Sequence, residues 1–210
     1  MKTATTALLS MCLLAACSSQ NGANKNGATQ ESTHPETTVQ TGESKGFSHA
    51  NLSYPGPDIT FEVKVDSNRL TIIPSGLNAV NEPLQHDVTG YTVTNAEIGD
   101  LNTDGYPEVF VYLTSLGSGS YGKLIGYSTN NGKSVSQVSL PDIAENDRIN
   151  KGYMGHDEMA IVENTFCQRF PIYKDGDTNA NPTGGMRQIQ YKLVDGEACR
   201  ILQVGKVLEF

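Results

Sequence analysis

The chain has 210 residues, with 15 Lys and Arg against 23 Asp and Glu, a formal charge of −8, and no tryptophan. This acidic balance argues against nucleic acid as a partner, since phosphate backbones are held by clustered basic side chains. It suits a cationic partner, because complementary charge speeds encounter and fixes register.

In chain order, the first segment is an export signal by its pattern. Met1-Lys2-Thr3 is a short basic start, Ala7 to Leu14 is apolar, and Leu14-Ala15-Ala16-Cys17 places small residues directly before a cysteine. The pattern resembles a bacterial lipoprotein signal with its lipobox. That resemblance implies cleavage after residue 16, lipid on Cys17, and membrane attachment through the lipid. Ser18, where aspartate would favour retention at the inner membrane, points to an outer-membrane lipoprotein with its domain in the periplasm or at the cell surface. The apolar run is too short for a spanning helix. Lys2 is the only charged residue removed with the signal, so the remaining chain is one unit more negative than −8.

Residues 17–50 read as anchor and linker. Ser, Thr, Asn, Gln, Gly and Glu dominate, and no large apolar cluster offsets the entropy of ordering. As a random coil, about 30 such residues reach roughly 30 Å. His34 and His49 are expected to be solvated.

Residues 51–210 carry the domain, large enough for a single core. Ile59–Val65 and Arg187–Leu193 alternate apolar with polar residues, while Arg69–Ile73 and Tyr91–Thr94 are β-branched runs. Pro107–Leu113, Lys123–Ser128, Val135–Leu140, Met159–Val162, Phe166–Tyr173 and Cys199–Leu208 complete about ten expected strands. Only Asp142–Ile149, preceded by Pro141, reads as a short helix. The expected fold is all-β, an antiparallel sandwich or barrel.

Asp100-Leu-Asn102-Thr-Asp104-Gly105-Tyr106-Pro-Glu108 spaces oxygen side chains as the start of a calcium loop does, with glycine at the sharp turn. It lacks the glutamate that closes an EF-hand, and it resembles the aspartate-rich hairpins of integrin-like propeller repeats. Two readings stand: a calcium site formed by Asp100, Asn102, Asp104 and Glu108, or a tight turn whose side chains cap backbone N–H groups. Calcium takes six to eight oxygens, more than one such loop supplies.

Thr114 to Gly122, Thr-Ser-Leu-Gly-Ser-Gly-Ser-Tyr-Gly, places small hydroxyls and one tyrosine on a glycine-rich loop between two β-prone runs. Loops held by a rigid sheet are where binding surfaces sit. Cys167 and Cys199 remain once Cys12 and Cys17 are assigned to the signal and the anchor. In an oxidising compartment the pair is expected to form a disulfide, contributing about 3–4 kcal/mol by loop closure. A nucleophilic Cys167 with a base such as His156 is the rival. Serine-elbow, zinc-helix and phosphate-loop motifs are missing, so the reading is not that of an enzyme.

Ser118-Gly119-Ser120-Tyr121 is similar to the Ser-Gly-x-Tyr loop of the periplasmic inhibitors of invertebrate-type (i-type) lysozymes. The globular part, including the Asp100–Glu108 run ahead of the loop, resembles that family. Inhibitors of chicken-type lysozymes carry a longer serine-to-tyrosine spacing, often with a nearby tryptophan, which this chain lacks. The resemblance implies an i-type lysozyme as partner, with Ser118, Gly119, Ser120 and Tyr121 entering its cleft. The alternative is a non-inhibitory envelope binding module, calcium-dependent or glycan-binding.

Overall fold

Strand β7 (Glu108–Ser115) explains the architecture, because its side chains are buried on both faces. Val109, Val111 and Leu113 point into one core, and Phe110 and Tyr112 point into another. A strand covered on both sides must be apolar throughout, which is why this run does not alternate in sequence. The computed structural model describes residues 37–39 and 46–210.

The first core lies between two sheets. β1 (Thr37–Val39), β2 (His49–Ser53), β3 (Thr60–Asp66), β4 (Arg69–Ser75) and β5 (Leu84–Asp87) form an antiparallel meander in chain order. Its inward residues recur at every second position: Ala50 and Leu52, Phe61 and Val63, Leu70 and Ile72. They pack on Val109, Val111 and Leu113, on Ile125 of β8 (Gly122–Asn130), and on Val93, Ala96 and Ile98 of β6 (Tyr91–Gly99). The spacing between Val93 and Ala96 breaks the two-residue period. A bulge between Val93 and Asn95 absorbs the extra residue, and the Thr94 hydroxyl donates to the Tyr112 carbonyl at 3.2 Å.

The second core lies inside the other sheet. The remaining strands are β9 (Ser134–Ser139), β10 (Glu158–Val162), β11 (Thr165–Pro171), β12 (Met186–Asp195) and β13 (Arg200–Glu209). They join β6 to β8 in an eight-stranded sheet ordered β10-β11-β12-β13-β9-β8-β7-β6. The sheet curls until β10 returns to β6. A side chain bridges the seam: Glu97 Oε2 accepts from the Ile161 backbone N–H at 2.8 Å and from the Tyr112 hydroxyl at 2.5 Å. Phe110, Phe166, Phe170, Ile189, Tyr191 and Leu202 fill the interior. The all-β sandwich and barrel expectation therefore holds, the two layers sharing β6, β7 and β8.

Several expectations change in detail. Ladder pairing starts ahead of residue 51, since Ala50 is fully buried and pairs with Val39. β2 and β5 escape the sequence pattern because each carries few large apolar residues, and β5 is a four-residue edge strand after Pro83. The sheet is not wholly antiparallel, for β9 and β13 pair in parallel at Arg200↔Val138 and Ile201↔Ser139. The helix expected over Asp142–Ile149 is a single 3₁₀ turn, Ile143–Glu145, capped by Asp142 accepting from the Ala144 N–H at 2.8 Å. Asn146 ends it by turning its own carboxamide oxygen to the Arg148 N–H, a local bond that competes with helix continuation. Cys17, the 1–16 signal and His34 lie outside the described residues, while His49 pairs with Glu62 at 3.0 Å.

The disulfide is a correction, because Cys167 and Cys199 are both free. Cys167 lies opposite Gln190 on one side of β12, whereas Cys199 precedes Arg200, which lies opposite Asp195 on the other side. The five residues from Gln190 to Asp195 and two strand spacings put Arg200 about 16 Å along and about 10 Å across from Cys167, and Cys199 lies one residue farther still. A disulfide needs Cα atoms within about 7 Å. Alkylation of the full chain in denaturant without reductant should therefore modify both residues, and reductant should leave the melting temperature unchanged. A mass lower by two hydrogens in a peptide pair containing both cysteines would contradict this geometry.

Candidate functional site

The β7–β8 hairpin ends in the loop singled out from the sequence. Thr114 pairs with Gly122, and beyond them the Ser115 N–H donates to the Tyr121 carbonyl at 2.9 Å. Ser115 Oγ accepts from the Tyr121 N–H at 2.8 Å, and the Ser120 N–H donates to the Gly117 carbonyl at 3.0 Å. Ser120 adopts a left-handed conformation with φ of 45°, a local strain for a residue with a Cβ. Gly119 has a packing reason: a Cβ there would lie 2.4 Å from the Tyr121 ring. The Ser118-Gly119-Ser120-Tyr121 run thus folds its tyrosine back over its glycine.

Segments far away in sequence brace this loop. The His156 N–H donates to the Gly119 carbonyl at 2.7 Å, and Asn179 Nδ2 donates to the Ser118 carbonyl at 2.6 Å. Gly155, at φ of 85°, passes so close that a Cβ would stand 2.1 Å from the Gly119 oxygen. His156 Nε2 lies 3.1 Å from Asn179 Oδ1, so the two braces also hold each other. At the end of the loop, Asp157 Oδ2 accepts from the Gly122 N–H at 2.8 Å and from the Tyr153 hydroxyl at 2.7 Å. Asp157 Oδ1 accepts from Gln168 Nε2 at 2.8 Å, and Gln168 in turn accepts from the buried Tyr191 hydroxyl at 2.9 Å. Burial raises the Asp157 pKa, while its hydrogen bonds to Gly122, Tyr153 and Gln168 pull the other way.

The backbone of the loop is bound, but its hydroxyls are not. Tyr121 is 47% exposed, its ring edge-on to Tyr153 at 5.7 Å, and Tyr153 rests edge-on against Phe170 at 4.6 Å. Among the described residues none hydrogen-bonds the Tyr121 hydroxyl or the Ser118 and Ser120 hydroxyls. The loop offers donors and acceptors to a partner without having to break internal bonds. Leu116, 72% exposed, adds an apolar side chain at its start. Asp157, Asn179, His156 and Gly155 carry no motif that ties them to residues 114–122, and only the glycines at 152 and 155 hint at close packing.

The four residues of the calcium-like run are gathered, yet their oxygens face their own backbone. Asp100 accepts from the Asp104 N–H at 3.0 Å and the Gly105 N–H at 2.9 Å, and Asp104 Oδ1 accepts from the Tyr106 N–H at 2.9 Å. Asn102 donates to Asp104 at 2.8 Å. Arg200 supplies the cation, reaching Asp104 at 3.2 Å, the Thr129 carbonyl at 2.9 Å and the Ser128 hydroxyl. Among the described residues no cluster of three or more His, Cys, Asp or Glu is arranged to hold a metal ion. The arrangement is that of a capped turn, its carboxylates bonded to backbone N–H groups and to Arg200. Cys167 is buried on the Thr165 side of β11, and His156 is engaged with Asn179, so the two do not form a nucleophile–base pair by their contacts.

Comparisons with protein-family models, with characterised proteins and with solved structures find no match to the chain.

Glu108 ties this turn to the core. It is fully buried, accepting from the Leu101 N–H at 2.8 Å and the Ser128 hydroxyl at 2.7 Å, and burial pushes its carboxyl up to about 7. A pKa raised on folding means that the folded state holds the proton more tightly. The contribution is complete below the ordinary value of 4.5 and is lost as pH rises to about 7. Unfolding free energy measured across this window should fall with pH, and the fall should be smaller in Glu108→Gln. Parallel pH curves for the two proteins would refute the assignment.

Proposed function

We propose that the chain is a proteinaceous inhibitor of lysozyme, the i-type enzyme being its target, held by lipid on Cys17 at the outer membrane. The observation that carries this reading is the unbonded Tyr121 and Ser118 hydroxyls on a loop whose backbone is tied at Ser118, Gly119 and Gly122. A lysozyme cleaves glycan strands between two carboxyl groups in a cleft. A protruding hairpin tip of this shape enters such a cleft, directs its hydroxyls at the carboxyl groups and excludes the sugar.

Rigidity makes the scheme economical, since a loop ordered beforehand loses little conformational entropy on binding. Hydrogen bonds to charged groups contribute about 1.5–3 kcal/mol each, so Tyr121 and Ser118 set specificity while neighbouring side chains such as Leu116 supply contact area. The acidic charge of the chain favours a basic enzyme surface. No step of this scheme needs a metal or a catalytic group on the inhibitor.

In an assay of i-type lysozyme turnover, Tyr121→Ala and Ser118→Ala should each weaken inhibition by about 10- to 100-fold with unchanged melting. Full potency in both variants, or no inhibition by the unaltered chain, would overturn the proposal.

A further inference from the structure

Beside the Tyr121 loop runs an open groove of about 730 Å³, within the ~300–1,000 Å³ range of small-molecule sites. Tyr91, Tyr121, Tyr153, Lys123, Gln137 and Ser139 are among the residues that line it. From these residues we infer that the groove binds a neutral oligosaccharide, an activity separate from insertion of the loop into an enzyme.

The chemistry of the lining selects the ligand class. Among the described residues, none hydrogen-bonds the Tyr91 hydroxyl, the Gln137 carboxamide or the Ser139 hydroxyl, and the Tyr121 hydroxyl is equally unclaimed. These are neutral groups that both donate and accept, the complement of sugar hydroxyls. The charges in the groove are already engaged. Lys123 Nζ stands 4.8 Å from the Tyr91 ring centroid, and Asp142 caps the Ala144 N–H at 2.8 Å. Gln168, a buried residue that also lines the groove, is held by Asp157 and Tyr191. An anionic ligand such as a nucleotide would meet a single cation in a chain of charge −8. A wholly apolar ligand would strand the free hydroxyls and the amide, at a desolvation cost. A saccharide has apolar C–H faces for the tyrosine rings and hydroxyls around its rim, and it satisfies both halves of the lining.

The site is built by the fold rather than by one loop. Gln137 and Ser139 are on β9, Lys123 is on β8, Tyr91 opens β6, and Tyr153 is locked by its bond to Asp157. Tyr121 belongs to both the groove and the hairpin tip, so the two surfaces are continuous.

The test titrates the full chain, with no lysozyme present, against chitotetraose and cellotetraose at up to millimolar concentration, followed by calorimetry and by chemical-shift changes. Saturable binding of at least one, with shifts at Gln137, Ser139 and Tyr153, is expected. Gln137→Ala and Ser139→Ala, both outside the hydrophobic cores, should each weaken it about fivefold, the worth of one hydrogen bond, at unchanged melting. No saturable binding to either sugar, shifts confined to other surfaces, or undiminished binding in both variants would overturn the inference. Because the assay contains no enzyme, its failure leaves the inhibitor reading standing, and loss of inhibition leaves this one standing.

Discussion

The carboxylate of Asp157 is the constraint on which the candidate site depends. It receives the Gly122 N–H from the loop, the Tyr153 hydroxyl from the segment beneath it, and the Gln168 amide from the barrel wall. Each of those donors is wholly or partly buried, and a buried donor without an acceptor costs about 1–3 kcal/mol. One side chain thereby makes the position of an exposed loop a property of the barrel interior. The chain of contacts continues through Gln168 to Tyr191, whose ring packs 5.5 Å from Phe166 in the core.

This coupling separates two requirements that a binding loop must meet together. The backbone has to be fixed, or association is charged with ordering it, and the side chains that meet the partner must be free of internal bonds. Here Asn179 and His156 take the carbonyls of Ser118 and Gly119, leaving the hydroxyls of Ser118, Ser120 and Tyr121 outward. Gly119 and Gly155 let the bracing segment approach closely enough to do so. The same geometry makes Tyr121 one wall of the adjacent groove, which is why two surfaces of different chemistry meet at a single ring.

Much of the fold is legible in local periodicity, and the failures have physical causes. Phe61 and Val63, or Ile189 and Tyr191, announce a one-sided strand by alternation. β2 and β5 do not, because edge or near-edge strands with few apolar residues are defined by their partners, not by their own pattern. The loop itself stands out in sequence as a run of glycine and hydroxyl residues. Its supports do not, since Asp157 and Asn179 act across 35 and 61 residues and only the folded chain brings them near. The cysteine pair failed for a similar reason: parity and compartment suggest a bond, but strand register decides distance. The Asp100–Glu108 run shows that one spacing is compatible with two chemistries: the oxygens that a calcium loop uses as ligands here accept from backbone N–H groups and Arg200.

The proposed mode of action, entry of a pre-ordered hairpin tip with free hydroxyls into a lysozyme cleft, has two halves, order in the free chain and contact with the enzyme. Amide hydrogen exchange of the full chain, with and without an i-type lysozyme, measures both halves at once. The amides of Ser115, Ser120, Tyr121 and Gly122 should already be protected in the free protein, and the enzyme should add protection over residues 116–121. Rapid exchange at those four amides in the free chain, or no added protection over the loop in a mixture with the enzyme, would contradict this mode of action.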